Sequence, residues 1–482
     1  MKKLIQLIIL LISFAYSKGG IVSGFISDSS SGEALIGANV MIQETGQGMA
    51  TDINGYYIIQ NINPGSYTLM ASYVGFRVSR IQIIISDEES IKKDIEMVED
   101  LVQLTQVDVT AEKLQRRNNI QPSKINLSPR MMKAAPALAE PDLFRTIQAL
   151  PGVLTTSEYS TGLVIRGGNT DQNLIMLDGI TVYNPSHLGG VFSNFIVDGV
   201  KEAELIKGAY NAEYGGRLSA VLNVISREGN QKEFKGKANI SLLSAQTTLE
   251  GPFYKGAWIL SGRRTYFDLV LPKVLPDNIA TNIPPYFFYD VQGHIFSDIS
   301  SKDRFSLSYY TGIDDILFDT FGLDGRWGNN TISGHWRRVF SERLVGNFLV
   351  ANSNFRTMFG LGGDGGLVND NIIDDRTISA DLSWFKTPDL TIKFGFQNKI
   401  LGFEYFSEFQ DSTVFRIKNS PLELGTYAKM KYNFNDVLIL EPGVRLNYYD
   451  VFPDSLYPDL RFRSEETRLN SSHRCISYAV FC

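Results

Sequence analysis

Residues 391–400 read TIKFGFQNKI. In an extended chain successive side chains point to opposite faces, so Ile392, Phe394 and Phe396 share one face and Lys393, Gly395 and Gln397 the other. A helix would scatter both sets. The pattern returns at 438–449, where Leu438, Leu440, Val444, Leu446 and Tyr448 oppose Glu441, Gly443, Arg445 and Asn447. It returns again at 304–310, with Phe305, Leu307 and Tyr309 against Ser306 and Ser308. From Phe234 onward, segments of roughly ten residues of this kind alternate with turns and loops. Residues 289–299 with 304–312, and 334–340 with 343–354, read as hairpins. Short turns such as 301–303 and 433–436 alternate with longer, acidic, glycine-rich loops such as 359–375, which reads as a solvated loop. Aromatic residues cluster near strand ends at 286–289, 309–310 and 448–449, as an interfacial girdle requires. About ten such strands precede Phe462. Alternation alone suits a soluble sandwich and a membrane barrel equally.

Composition narrows the choice. A chain of 482 residues suggests about three domains. Lys plus Arg is 46 against 52 Asp plus Glu, a net charge of −6, which disfavours nucleic acid as a partner. A hydrophobic share of 43% with 20% charged residues excludes a disordered chain and a bundle of membrane helices. The longest apolar run, residues 4–15, is broken by Gln6 and Ser13 and is short for a bilayer span. Lys2 and Lys3 precede it and Ala15-Tyr16-Ser17 follow, so residues 1–17 read as a signal peptide removed on export.

Between the two ends the punctuation changes twice. Residues 19–98 are short strands with regular turns, among them Asn54-Gly55 and Pro64-Gly65, and read as a small β-sandwich of some seven strands. Residues 99–112 form a linker, and 113–230 carry four signatures in order. These are a helix over 142–150 ending at Pro151-Gly152, the motif Val164-Ile165-Arg166-Gly167-Gly168, the hairpin LIMLDGITVYNP at 174–185, and 204–229 with Tyr214-Gly215-Gly216-Arg217. Neither glycine cluster has the frame of a nucleotide-binding loop.

Gly32, Gly37-Ala38-Asn39-Val40, Gly55-Tyr56, Pro64-Gly65-Ser66-Tyr67 and Tyr73-Val74-Gly75-Phe76 resemble the carboxypeptidase regulatory-like domain. The four signatures over 113–230 resemble the plug domain of TonB-dependent outer-membrane receptors, and LEGPFYKGAWILSGRR at 249–264 resembles the first barrel hairpin of Bacteroidetes-type receptors that carry such an N-terminal domain. The fold class expected is mainly β: a small N-terminal sandwich, an α/β plug, then the first half of an antiparallel transmembrane β-barrel over 231–462. Receptors of this type close at about 22 strands.

The resemblance implies an outer-membrane receptor for active uptake, with the sandwich in the periplasm and TonB, an inner-membrane energy transducer, as partner. The segment that pairs with the transducer would be Leu104, Thr105, Gln106, Val107, Asp108, Val109, Thr110 and Ala111. Arg166 and Arg217 stand where family arginines lock the plug to barrel glutamates. Outer-membrane lipid, an external ligand and a surface lipoprotein complete the implied partners. Siderophore, oligosaccharide, peptide and vitamin all stay open as the ligand, and no ligand-binding residue is assigned.

An enzyme is not expected. A zinc peptidase needs a His-x-x-Glu pair, and Gly190, Ser297 and Arg338 stand three residues after His187, His294 and His335. These three lone histidines read as structural or surface residues. No catalytic residue, metal or cofactor is expected. Residues 463–482 (RSEETRLNSSHRCISYAVFC) resemble an in-frame translation of a sequencing-library adapter, which would make the chain a fragment. Cys475 and Cys482, both in that tail, are its only cysteines, so disulfides leave the argument. The alternative function is an exported, non-transporting β-rich binding or adhesion protein of the cell surface.

Overall fold

The computed structural model describes residues 19–100, 124–135, 140–157 and 160–466, apart from 209, 275, 277–284, 319–321, 364, 411, 435–437, 451–455 and 462–463. The expected signal peptide at 1–17, the segment at 104–111 and most of the 463–482 tail lie outside the described residues.

Gly20–Asp28 opens a sandwich of two four-stranded sheets. It pairs antiparallel with Tyr56–Ile62 and parallel with Ser90–Lys92 and Ile95–Met97. The facing sheet holds Gly48–Ala50, Asn39–Ile42, Gly65–Ser72 and Ser79–Ile85. Alternate residues of both sheets fill the space between them, with Val22, Ile26, Val40, Ile42, Leu69 and Met97 fully buried. At the Asn54-Gly55 turn Gly55 has φ +74°, and the Asp52 carboxylate accepts the backbone N–H groups of Asn54 and Tyr56, both at 2.8 Å.

The middle of the chain is a five-stranded mixed sheet with two short helices. Its order is Ile180–Thr181, Leu174–Leu177, Val221–Ser226, Val200–Ile206 and Lys124–Leu127, with only Leu174–Leu177 and Val221–Ser226 parallel. The helix Leu143–Gln148 starts because the Asp142 carboxylate accepts the Arg145 N–H at 3.0 Å. Its Leu143, Phe144 and Ile147 pack with Leu205, Leu222 and Val224 of the sheet. Asp178 and Gly179, at φ +49° and +81°, form the anticipated hairpin turn.

The remainder is one antiparallel wall of fifteen strands, from Lys235–Ile240 at one edge, and among the described residues it is open rather than closed. More strands are present than the ten or so anticipated. Glu441 and Pro442 split one strand into Leu438–Leu440 and Gly443–Tyr449, and the far end of Leu390–Phe409 pairs with an extra strand, Ser412–Asn419. Ser464–Glu466 pairs with Leu438–Leu440.

Five successive strands, Asp303–Phe318 to Leu390–Phe409, run 16–21 residues each. At about 3.3 Å per residue and roughly 45° tilt, twenty residues rise about 47 Å, well past a hydrocarbon core of about 30 Å. The strands therefore continue as a tall rim. For that reason 359–375 is no solvated loop. Strand runs to Leu361 and resumes at Leu367, with Gly362, Gly363 and Gly365 turning the chain at φ +97°, +68° and +75°. The anticipated aromatic girdle is also only half outward. Tyr286, Phe288 and Tyr310 are buried on the inner face, because every second residue of a strand must turn inward. No described helix is long and apolar enough to cross a membrane.

Candidate functional site at the seam between mixed sheet and wall

The inner face of the wall is polar, and the mixed sheet lies against it. Lys393, on the polar side of the stretch 391–400, reaches Glu213 of the mixed domain, while Phe394 and Phe396 stay on the outer face, 38% and 45% exposed.

The most buried part of the seam is built around Arg263, at an inward position of Gly256–Thr265. Its Nη1 donates to Glu140 Oε1 at 2.7 Å, and its Nε and Nη2 donate to Asp290 Oδ2 at 2.8 and 2.6 Å. Glu140 belongs to the mixed domain; its second oxygen accepts from Ser244 and Gln246 of the wall. His187, also of the mixed domain, bridges two wall carboxylates, Nδ1 to Asp314 at 2.7 Å and Nε2 to Asp290 at 2.9 Å. Its ring stacks on Phe288 at 4.0 Å, and Leu188 N–H donates to Asp314 at 2.9 Å. Tyr310 and Tyr286 donate their hydroxyls to Asp290 and Asp314. Burial works against a charged imidazole here, but the carboxylates of Asp290 and Asp314 outweigh it and raise the His187 pKa above 6.5.

A second knot lies further along. Glu213 sits between Lys393 and Lys429, the latter at 2.8 Å. Burial would raise its pKa, but the two ammonium groups hold it well below the usual carboxylate range. Beside it Arg445, fully buried, donates through Nη1 to the Glu213 carbonyl at 3.2 Å. A Cβ on Gly215 would lie 2.4 Å from Arg445 Nε, and one on Gly425 would lie 2.2 Å from its Nη2, so these two glycines form the slot for the guanidinium. A third contact joins Tyr183 and Thr181 to Asp375 and Lys399 of the wall.

Arg166 is exposed, at φ +50°, in the turn before Gly167, with its Nη1 near Gly208 of the same domain. Arg217 is half-buried and donates to the Gly216 carbonyl at 3.0 Å, with its Nε buried and unpartnered. Among the described residues neither makes an ion pair with the wall, although the Glu423 carboxylate stands 3.3 Å from where a Gly216 Cβ would be. Of the residues that do bridge the seam, Glu140 and Glu213 went unread in the sequence, and His187 was read as a structural or surface histidine without its bridging partners. The available clue was charge at inward positions of wall strands, where Arg263, Asp290, Asp314, Lys393 and Arg445 all fall.

The sandwich joins the same assembly at its short-turn end. Glu33 accepts the N–H groups of Glu228 and Gly229 at 2.8 and 2.9 Å, and Arg227 links it to Glu250 of the wall. Glu228 in turn meets Lys201 and Arg304; burial opposes its ionisation, but these cations lower its pKa to about 2. Tyr56 donates to the Glu342 carbonyl at 2.8 Å and Gln60 to the Phe385 carbonyl at 3.0 Å. Between sandwich turn, mixed sheet and wall lies a cavity of about 300 Å³, lined by Asn54, Asp178, Asn223, His294, His335 and Lys393 among others. Among the described residues no group of three or more His, Cys, Asp or Glu could hold a metal ion.

Comparison with known proteins gives this geometry its relatives. Residues 22–109 match the CarboxypepD_reg-like domain and residues 128–221 the TonB-dependent Receptor Plug Domain. The chain is 28% identical over 233 residues to TonB-dependent receptor P26 of Formosa agariphila, covering 45% of this chain and 22% of that protein. It is 23% identical over 237 residues to TonB-dependent transporter Oar of Myxococcus xanthus, covering 46% and 22%. Each alignment therefore spans about a fifth of the relative's length.

The fold resembles the siderophore receptor PirA from Pseudomonas aeruginosa, with TM-score 0.55 and 14% identity over 72% of this chain and 59% of that one. It also resembles the outer membrane transporter YddB from Escherichia coli, with TM-score 0.52 and 13% identity over 71% and 58%. The plug match does not favour the surface-adhesion alternative.

Proposed function

We infer that this chain, which carries the regulatory-like domain and the plug of the TonB-dependent receptors together with a barrel wall of their fold, belongs to an outer-membrane receptor that imports an external ligand by active transport. The observation that carries the reading is a plug held inside a polar wall by buried ion pairs. Such contacts can fill a lumen and still be exchanged for water when the plug is pulled.

In this reading the sandwich lies on the periplasmic side, and residues 104–111 offer an extended strand to the sheet edge of a TonB-type transducer. Pulling there would draw on the plug, with Arg166 and Arg217 meeting wall carboxylates as it shifts. Solved structures of similar fold include a siderophore receptor and a copper transporter, and the ligand class here stays as open as the sequence left it. A surface lipoprotein over the tall rim belongs to the same proposal.

Removing residues 104–111 tests the coupling. Capture of the detergent-extracted protein by the transducer's periplasmic domain is expected to disappear, while outer-membrane insertion, followed by heat-modifiable mobility, is unchanged. Undiminished capture would overturn it.

A further inference from the structure

The outer face of the wall changes character along one line. On Asp303–Phe318 the outward Phe305, Leu307 and Tyr309 are exposed, and so are Ile332, Val350 and Ile378 on the next three strands. One step further the outward residues turn polar. Thr311 pairs with Asn330, Asn330 with Asn354, and Asn352 with Arg376. The hydrogen bond from Asn330 Nδ2 to the Tyr309 hydroxyl, 3.2 Å, lies on this line. An apolar band that ends in a coherent polar line across four strands is the edge of a hydrocarbon layer.

Just past that line is a cleft of about 330 Å³, lined by Thr311, Ile313, Arg326, Gly328, Asn354 and Arg356 among others. Its floor is backbone, because a Cβ on Gly328 would lie 2.2 Å from the Gly312 carbonyl oxygen. Both guanidinium groups are accessible: the side chains of Arg326 and Arg356 are 56% and 57% exposed. Among the described residues the ion-pair partner of Arg326 is Asp315, held loosely at 3.9 Å. Arg356 is held through Nε and Nη2 by Asp370, whose side chain is 2% exposed and lies on the same face of the wall.

We propose that this cleft binds the phosphorylated headgroup of a glycolipid in the leaflet surrounding the tall rim. The proposal rests on the outer-membrane reading above. Planar guanidinium groups match phosphate oxygens in pairs, and asparagine amides both donate to and accept from sugar hydroxyls. The depth suits a headgroup rather than a free solute, since the apolar band begins one outward residue below. A lipid anchored in that band brings its phosphate to the two arginines without paying the full entropy of a free ion.

The test uses protein extracted from outer membranes in mild detergent, with native mass spectrometry as the readout. The probes are bisphosphorylated lipid A, the same lipid with its phosphates removed, and inorganic phosphate. Retention of bisphosphorylated lipid A is expected to fall at least tenfold in the Arg326→Ala/Arg356→Ala double variant. Removing the phosphates should cost the wild type a similar factor, and the Arg326→Lys/Arg356→Lys variant, which keeps charge but loses the planar fork, should lie between.

Equal retention by wild type and alanine variant would overturn the proposal, as would inorganic phosphate displacing the lipid at equal concentration. Heat-modifiable mobility on the same preparation separates the two failures. A protein absent from the membrane sinks the outer-membrane reading and this one with it. An inserted protein that keeps lipid A without its arginines sinks this one alone.

Discussion

The wall meets two partners, and it holds them differently. Against the plug it presents buried charge: Arg263 with Glu140, Asp290 and Asp314 with His187, Lys393 and Lys429 with Glu213. Against the regulatory-like sandwich its short-turn rim presents two backbone carbonyls, an arginine over the Phe25 ring, Val345 and Phe385 packed on Tyr56 and Ile58 of the sandwich, and Glu250, which Arg227 ties to Glu33. Buried ion pairs are weak net contributors when intact, because desolvation offsets their attraction, but very costly when half removed. Neutral hydrogen bonds and apolar contacts lose little when separated into water. The fully buried plug seam is therefore a two-state lock, whereas the rim contact with the sandwich, whose Glu33–Arg227–Glu250 link is partly exposed to water, can open more gradually.

The sharpest way to break this contrast is Arg263→Met. It leaves Glu140 buried without a cation and Asp290 with His187 alone of its two cationic neighbours, and about 3–5 kcal/mol of plug retention is expected to go. Denaturant-dependent proteolysis of the plug in intact membranes measures it. Glu213→Gln should cost about 2–4 kcal/mol by the same assay, since Lys393 and Lys429 then face a neutral amide. Gly215→Ala is expected to cost about 1–3 kcal/mol, because the new Cβ would displace the Arg445 guanidinium. Arg445→Leu in the same background would show whether the clash is with that side chain.

pH sharpens the comparison within the plug seam. His187 has a raised pKa, so its contribution is complete below 6.5, the ordinary histidine value, and is lost as pH rises through the elevated one. Glu213 has a lowered pKa, so its contribution is present above 4.5 and is lost only when pH falls toward the depressed value. Plug release should therefore ease in alkali through His187 and in strong acid through Glu213. His187→Gln is expected to abolish the alkaline limb alone. The smallest effect belongs to the other seam. Tyr56→Phe removes one hydroxyl from the rim contact and should cost about 1 kcal/mol, read as faster hydrogen exchange in Tyr56–Ile62 with the plug unchanged.

Much of the fold was legible because strands announce their faces locally. Residues 391–400 alternate as written, the Asp178-Gly179 turn closes its hairpin, and a helix, Leu143–Gln148, fills most of the anticipated 142–150. Strand length was underread, since a glycine-rich acidic stretch such as 359–375 gives no local sign that its carboxylates are held. Asp370 and Asp374 pair with Arg356 and Arg376, and Asp375 is buried against Tyr183 and Lys399.

The seam was hardly legible. Glu140 and Arg263 are 123 residues apart, and His187 and Asp290 are 103 apart, and no local pattern links them. His187 looks like any lone histidine in a Pro-Ser-His turn, and only the wall reveals that it spans two carboxylates. Arg166 and Arg217 drew notice because they sit in glycine motifs, a local cue for turns rather than for charge partners.

The central claim is that buried charge pairing holds the plug in the wall. A double-mutant cycle on Glu140→Gln and Arg263→Met, followed by plug proteolysis in denaturant, tests it most directly. A coupling energy of about 2 kcal/mol or more is predicted, with the double variant more stable than Arg263→Met alone. Additive effects, within about 0.5 kcal/mol, would contradict it.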